Sequence, residues 1–320
     1  MVNSILLSKL AIAPMIDWTN SPFRTFMRYL APKALLYTEM QTVGAIKNNP
    51  ARALYYLPIE HPIAIQLGGS DKSSLADCAE IAAQAGYDEI NLNLGCPSDK
   101  VQAGQFGACL MKEPLKVAEC IREMKRRAHI PVTAKTRIGI DNDDSYEHFR
   151  AFALTLIEAG CDKLIVHSRK AWLNGLNPKQ NRTIPPVNYD YVYQLKAEIP
   201  HVPIVINGNI LTVEDVKTHM QYVDGVMVGR LACDNPYSLT TLHQFLYPSV
   251  PIMSREELFR HYFEHLKAEY LKGMSLSLLA KPLFNIVHGM PGARQWKGQL
   301  SKCVQSKCIE GIAHLSTALP

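Results

Sequence analysis

Glu89-Ile90-Asn91-Leu92-Asn93-Leu94-Gly95-Cys96-Pro97 is the stretch on which the fold turns. A short β-rich run, Glu89–Leu94, breaks at a Gly-Cys-Pro turn that carries a thiol. Seven comparable runs flank it: Leu10–Met15, Leu35–Met40, Pro62–Leu67, Pro131–Arg137, Lys163–His167, Pro203–Asn207 and Gly225–Gly229. Most are continuously apolar rather than alternating, as strands buried on both faces of a parallel sheet must be. Helical patterns separate them. Ser73–Ala85 stops at Gly86, a suitable left-handed cap, and Leu115–Ala128 follows Pro114, a good first helical residue. Tyr146–Ala159, Asp190–Glu198 and Val213–Met220 complete the set. Eight repeats of strand and helix predict an α/β fold of the closed (β/α)8 TIM-barrel type. An open doubly wound sheet is the competing topology. It wants a glycine-rich turn after the first strand, and the sequence there is Ile16-Asp17-Trp18-Thr19.

The barrel pattern fades near Tyr247, and Pro248-Ser249-Val250-Pro251 reads as a stiff connector. Glu256–Lys272 and Leu276–Val287 then look helical, so the expected division is a barrel over 1–247 and a small C-terminal helical domain over 252–320. At 320 residues with 47% hydrophobic content, the chain can bury a large core. No apolar run reaches the roughly 18 residues a membrane span needs, and Met1–Leu10 does not read as a signal peptide. Eight cysteines without a C-x-x-C pair fit reduced thiols and a cytoplasmic protein. No Cys/His spacing suggests a metal. Of the net charge of +5, the segment after residue 251 contributes +4, with nine basic and five acidic residues. A basic extension suits a polyanionic partner, although mildly basic solvated helices are common.

Barrel enzymes carry their reactive groups at the C-terminal ends of the strands. Here those ends read Ala13-Pro14-Met15, Thr38-Glu39-Met40, Gln66-Leu67-Gly68, Asn93-Leu94-Gly95-Cys96, Lys135-Thr136-Arg137, His167-Ser168-Arg169, Asn207-Gly208-Asn209 and Gly229-Arg230. A structural barrel does not need polar side chains at nearly every terminus. The turns after strands seven and eight lie where barrels commonly hold phosphate on backbone N–H groups, with Arg230 to supply charge. Gln66 offers an amide to a flat heterocycle. Lys135, in an apolar strand, needs an anion or acceptor. His167 is either a hydrogen-bonded core histidine or a contact to phosphate or substrate. Cys96 is either a small buried hydrophobe or an acid or nucleophile at the barrel mouth. Cys109, among small and apolar residues, reads as packing.

Together these segments, with Asn91-Leu92-Asn93-Leu94-Gly95-Cys96-Pro97-Ser98 the most specific, resemble the tRNA-dihydrouridine synthase family over nearly the whole chain. Tyr37-Thr38-Glu39-Met40, Lys170–Leu176, Pro178–Arg182 and Pro291–Trp296 are similar to its A-type subfamily. Asn209 departs from the pattern, which often has a second glycine there. The resemblance implies bound FMN, with Pro14, Met15, Ile16, Gln66, Lys135, His167, Asn207, Gly208, Asn209, Gly229 and Arg230 as cofactor-binding residues. It implies NADPH as a transient reductant and the D-loop of tRNA, uridines 20 and 20a, as the target. Hydride would pass from flavin N5 to uracil C6, and Cys96 would protonate C5. Asn93, Lys179, Arg182, Arg294 and Lys297 are the expected tRNA contacts. A monomer without DNA, membrane or metal partners is expected. Two rival readings stay open: a flavin barrel reducing a free pyrimidine or small enone, and a catalytically inactive tRNA-binding protein.

Overall fold

Burial on both faces makes the eight apolar runs pair in sequence order around a closed ring. The computed structural model describes residues 6–320, so the reading of Met1–Leu10 falls partly outside the described residues. The strands are β1 (Leu10–Ile12), β2 (Leu35–Thr42), β3 (Ile63–Gly68), β4 (Glu89–Leu94), β5 (Val132–Arg137), β6 (Leu164–His167), β7 (Ile204–Asn207) and β8 (Gly225–Val228). Every neighbouring pair is parallel, and β8 closes on β1 with Ala11 opposite Met227. Expected and observed boundaries differ for local reasons. β1 stops early because Pro14 has no N–H to donate and Met15 folds into a turn, its N–H donating to Thr19 Oγ1 at 3.0 Å. β2 runs on to Thr42 through a register shift against β3 between Tyr37 and Met40.

The helices on the barrel wall include α1 (Ser21–Leu30), α2 (Lys72–Gln84), α3 (Pro114–Ala128), α4 (Tyr146–Glu158), α5 (Asp190–Glu198), α6 (Val213–His219) and α7 (Leu239–Leu246). Gly86 and Gly160 follow α2 and α4 at φ +91° and +97°, which an L side chain resists. Outward residues of the strands, such as Ile65, Leu92 and Val166, join the helices in one buried cluster. The connector at Pro248–Pro251 leads to α8 (Arg255–Leu271), opened by a capping box in which Ser254 and Glu257 satisfy each other's N–H groups. The run expected as one helix, Leu276–Val287, is two pieces: α9 (Leu276–Ala280) and a 3-10 turn over Lys281–Asn285 containing Pro282. α10 (Ala293–Gln305) and α11 (Ile309–His314) finish the chain. α8 lies on α1, with the Phe26 and Tyr262 rings edge to face at 5.0 Å. No described helix is long and apolar enough to cross a membrane.

The barrel interior is divided. One side is apolar: Ala11, Leu35, Tyr37, Ala64, Ile165, Val205 and Met227. The other holds a buried ion pair, Lys163 Nζ to Glu89 Oε2 at 2.5 Å, with both side chains at most 1% exposed. Tyr37 and Thr133 each donate a hydroxyl to Glu89 Oε1 at 2.6 Å. Buried charges persist only where every partner is present. Lys163→Met should therefore destabilise the protein by about 3–5 kcal/mol in urea titrations, by stranding Glu89. Lys163→Met combined with Glu89→Gln should recover more than half of that loss. A double variant no more stable than the single one would show that charge pairing is not what holds this floor.

Candidate active site

All eight strand ends open into one cavity of about 790 Å³. Pro14, Met15 and Ile16 line it after β1, Gln66 from β3, Asn93 and Cys96 from β4, and Lys135 from β5. His167, the Asn207-Gly208-Asn209 turn and Gly229-Arg230 close the circle, and Lys179 and Arg182 reach it from the loop after β6. Every expected cofactor-binding residue thus borders the same space as Cys96. Arg294 and Lys297 do not line it. They lie on α10, Arg294 exposed and Lys297 half-buried with its Nζ 2.9 Å from Asn285 Oδ1. Cys109 also stays outside the lining. Its thiol donates to Phe106 O at 3.2 Å, packs beside Ala108, Ile140 and Leu173, and is pushed up by burial.

The geometry at Cys96 starts from the ion pair on the barrel floor. Thr133, having donated to Glu89, accepts from Asn91 Nδ2 at 2.9 Å. Asn91 Oδ1 accepts from Gln66 Nε2, and Gln66 Oε1 accepts from Asn93 Nδ2, both at 2.9 Å. Asn93 Oδ1 then accepts the backbone N–H groups of Gly95 (3.1 Å) and Cys96 (3.0 Å). Every bond runs the same way, because a carboxylate can only accept at one end and backbone N–H groups can only donate at the other. The turn bearing the thiol is pinned from the far side too, by Ala108 N–H donating to Cys96 O at 2.9 Å. A Cβ on Gly107 would meet that same oxygen at 2.6 Å, and its φ of +78° favours glycine. The Cys96 thiol faces the Ser98 hydroxyl at 3.5 Å.

A residue quoted only as part of a strand end proves central. Arg137 is buried, and its guanidinium donates to three carbonyls: Gly95 O (2.9 Å), Lys170 O (3.1 Å) and Asn181 O (3.0 Å). It ties the Cys96 turn to the loop carrying Lys179 and Arg182. Burial brings Arg137 down to about 10, a shift that nearby Cys96 opposes. Its place at a strand end, two residues beyond Lys135, was its sequence signal. Trp18, Met40 and Cys233 also line the cavity and carry no such signal.

Lys135 Nζ donates to Asn207 Oδ1 at 3.1 Å, and Asn207 Nδ2 donates in turn to Met227 O at 2.7 Å. With no carboxylate beside it among the described residues, Lys135 is lowered to about 7, by burial first and Arg137 second. Burial and the same cationic surroundings hold His167 well below its usual value. Burial and Arg230 likewise lower Arg182. Lys135, Arg137, Arg182 and Arg230 gather basic side chains on this part of the cavity, with Asp234 the carboxylate among its lining residues. Also in the lining, Gly208 stands at φ +126° with Tyr189 donating its hydroxyl to Gly208 O at 2.8 Å. Any Cβ there would press on the His167 ring at 3.1 Å. Asn209 adopts φ +56°. Asparagine tolerates that left-handed conformation, so the turn keeps a glycine-like backbone despite the substitution.

The depressed Lys135 has a consequence for stability. Its folded value lies below the unfolded one, so between pH 7 and 10.5 the unfolded chain binds more protons and stability from this group rises with pH. Lys135→Met removes that burden. In flavin-depleted protein the variant should be the more stable at pH 7, with the advantage vanishing as pH approaches 10.5. Urea midpoints across that range are the measurement, and an advantage independent of pH would contradict it.

Known proteins resemble this chain over most of its length. The family model for dihydrouridine synthase matches residues 11–317. A protein from Shewanella oneidensis named tRNA-dihydrouridine(20/20a) synthase is 51% identical over 293 residues, 91% of this chain and 88% of its own. One of the same name from Vibrio vulnificus is 47% identical over 313 residues, covering 97% and 96%. Among solved structures, an old yellow enzyme homologue from Zymomonas mobilis superposes with a TM-score of 0.54 at 13% identity, covering 77% of this chain and 90% of that one, a likeness of fold alone. With a family match over nearly its whole length and relatives near half identical, the chain belongs to the dihydrouridine synthase family.

Proposed function

We propose that this protein reduces the C5=C6 bond of uridine to 5,6-dihydrouridine in the D-loop of tRNA, at positions 20 and 20a, with FMN in the barrel and NADPH as reductant. The observation that carries the proposal is a thiol, Cys96, fixed at a cavity that it shares with Lys135, His167, Arg182 and Arg230. The residues fit a flavin phosphate and ring. Lys135 donates to an amide oxygen, that of Asn207, and Gly208 and Gly229 bring backbone without side chains to the cavity beside Arg230. Pro14, Met15, Ile16, Gln66, Lys135, His167 and the two turns would hold the group. When bound, FMN supplies hydride to uracil C6.

The chain's own residues do the rest. Negative charge develops toward uracil O4 and C5 as C6 is reduced, and the Cys96 thiol holds the proton that C5 takes. Asn93 and Arg137 keep that thiol in place through the backbone of Gly95 and Cys96. Lys135 balances negative charge on the ring system through a charge-assisted hydrogen bond. A uridine stacked in folded RNA cannot reach a cavity of this depth, so the base must be extruded. Arg182 and Lys179, at the rim, would meet it or its phosphates. We assign residues 252–320, with Arg294 and Lys297, to gripping the rest of the tRNA, and expect a cytoplasmic monomer.

Two measurements test this reading. Cys96→Ala should keep its flavin and accept hydride from NADPH, yet oxidise roughly two to four orders of magnitude more slowly when pre-reduced and mixed with unmodified tRNA. Cys109→Ala should behave as the parent; the reverse pattern names the wrong acid. Turnover of free uridine at a comparable rate would favour a small-molecule reductase, and purification without flavin would favour an inactive RNA-binding protein. Second, the slope of log affinity for tRNA against log salt should become shallower by about one for Arg294→Gln and again for Lys297→Gln. Unchanged slopes would remove α10 from the RNA interface.

A further inference from the structure

α10 ends in a turn whose geometry brings two cysteines together. Lys307 takes the left-handed conformation, φ +55°, beyond the last helical residue, Gln305. Lys307 N–H donates to Val304 O at 3.3 Å, and Cys308 N–H donates to Cys303 O at 2.9 Å. These two bonds define a Schellman motif, in which the side chains at the third-last helical position and the second residue past the cap meet, usually as an apolar contact. Here both positions are cysteine. The backbone bond keeps their Cα atoms under about 7 Å apart, close to the span a disulfide bridges.

The start of α11 tightens the arrangement. Cys308 caps this helix, its Sγ accepting Gly311 N–H at 3.3 Å. A Cβ at Gly311 would lie 2.7 Å from Cys303 Sγ and 3.1 Å from Cys308 Sγ, so both sulfurs border the space that Gly311 leaves open. Burial raises the Cys303 thiol and its neighbour Cys308 raises it further, as two adjacent thiols should. Both are free and partly exposed, whereas Cys78, Cys120, Cys161 and Cys233 are buried. Neither Cys303 nor Cys308 borders the cavity.

From this geometry we propose that Cys303 and Cys308 form a dithiol site that closes reversibly to a disulfide by exchange with small-molecule disulfides of the glutathione type. The Cys308 thiolate attacks one sulfur of the oxidised reagent, breaking its S–S bond and releasing one reduced thiolate. The Cys303 thiolate then attacks Cys308 Sγ in the mixed disulfide, forming the internal bond and releasing the second. The protein loses two electrons, the reagent gains them, and the two cysteine protons end on the two released thiols. The closed bond would staple the end of α10 to α11, beyond which Leu315 O already accepts from Trp296 Nε1 at 3.1 Å.

The test uses the full-length flavin-loaded protein in glutathione buffers of graded oxidised-to-reduced ratio, quenched by alkylation and mapped by mass. The peptide spanning both cysteines should lose two hydrogens and escape alkylation as the ratio rises, then revert on reduction. In Cys303→Ser, which lacks the resolving thiol, Cys308 should instead retain a stable glutathione adduct. A stable adduct on the parent protein would overturn the proposal, as would both thiols staying alkylatable at every ratio. Neither thiol borders the cavity, so Cys303→Ser under reducing conditions should keep its flavin and accept hydride from NADPH at the parental rate.

Discussion

A single ion pair in the floor of the barrel, Lys163 with Glu89, sets the direction of the hydrogen bonds above it. Amide side chains can point either way, and a buried chain of them has two polarities of similar cost unless something breaks the tie. The Glu89 carboxylate breaks it, since it can only accept, and its other oxygen pairs with Lys163 Nζ. Thr133, Asn91, Gln66 and Asn93 then have one consistent arrangement, which ends on the backbone N–H groups of the Cys96 turn. A satisfied buried network of this kind specifies one conformation, whereas a partly satisfied one costs more than an apolar core. The apolar half of the barrel supplies cohesion, and the polar half supplies order at the mouth.

Arg137 performs the complementary task from the side. Three carbonyls from two loops converge on one guanidinium, so the thiol turn and the loop bearing Lys179 and Arg182 share an anchor. A lysine there has one compact charged head in place of the planar fork. The cost is visible in the field of the site: Arg137 contributes to lowering both Lys135 and His167. Such crowding of cations is unfavourable until an anion arrives, which is how a binding site exchanges stability for affinity.

Much of this was legible in the sequence because parallel strands buried on both faces leave a coarse, repeated pattern. The eight strands were found within a few residues, and barrel geometry alone then put Cys96, Lys135, His167 and Asn207 at one mouth. The misplaced edges had local causes that periodicity does not see: the Met15–Thr19 turn, the register shift after Tyr37 and the 3-10 turn at Pro282. The direction of the amide chain was not legible either, since it depends on side chains far apart in the chain meeting inside the barrel. Arg137 was visible as a residue but not as a clamp, because its partners are backbone carbonyls of distant loops. Arg294 and Lys297 were read as tRNA contacts, and they lie on α10, outside the cavity lining.

The helices after the barrel are fastened to its mouth. Lys281 Nζ reaches the Asp17 carbonyl at 2.6 Å and sits over the Trp18 ring at 4.3 Å. Asn285 Nδ2 donates to Cys233 O at 2.7 Å, while its Oδ1 receives Lys297 from α10. Trp18 and Cys233 are themselves part of the cavity wall. A large substrate held on α10 would therefore be held at a fixed distance from Cys96, as a workpiece in a jig is held from the tool. On the proposed reading, selection of one nucleotide among many identical ones then needs no recognition of neighbouring bases. Length along the folded RNA, gauged from the gripping face to the cavity, is sufficient.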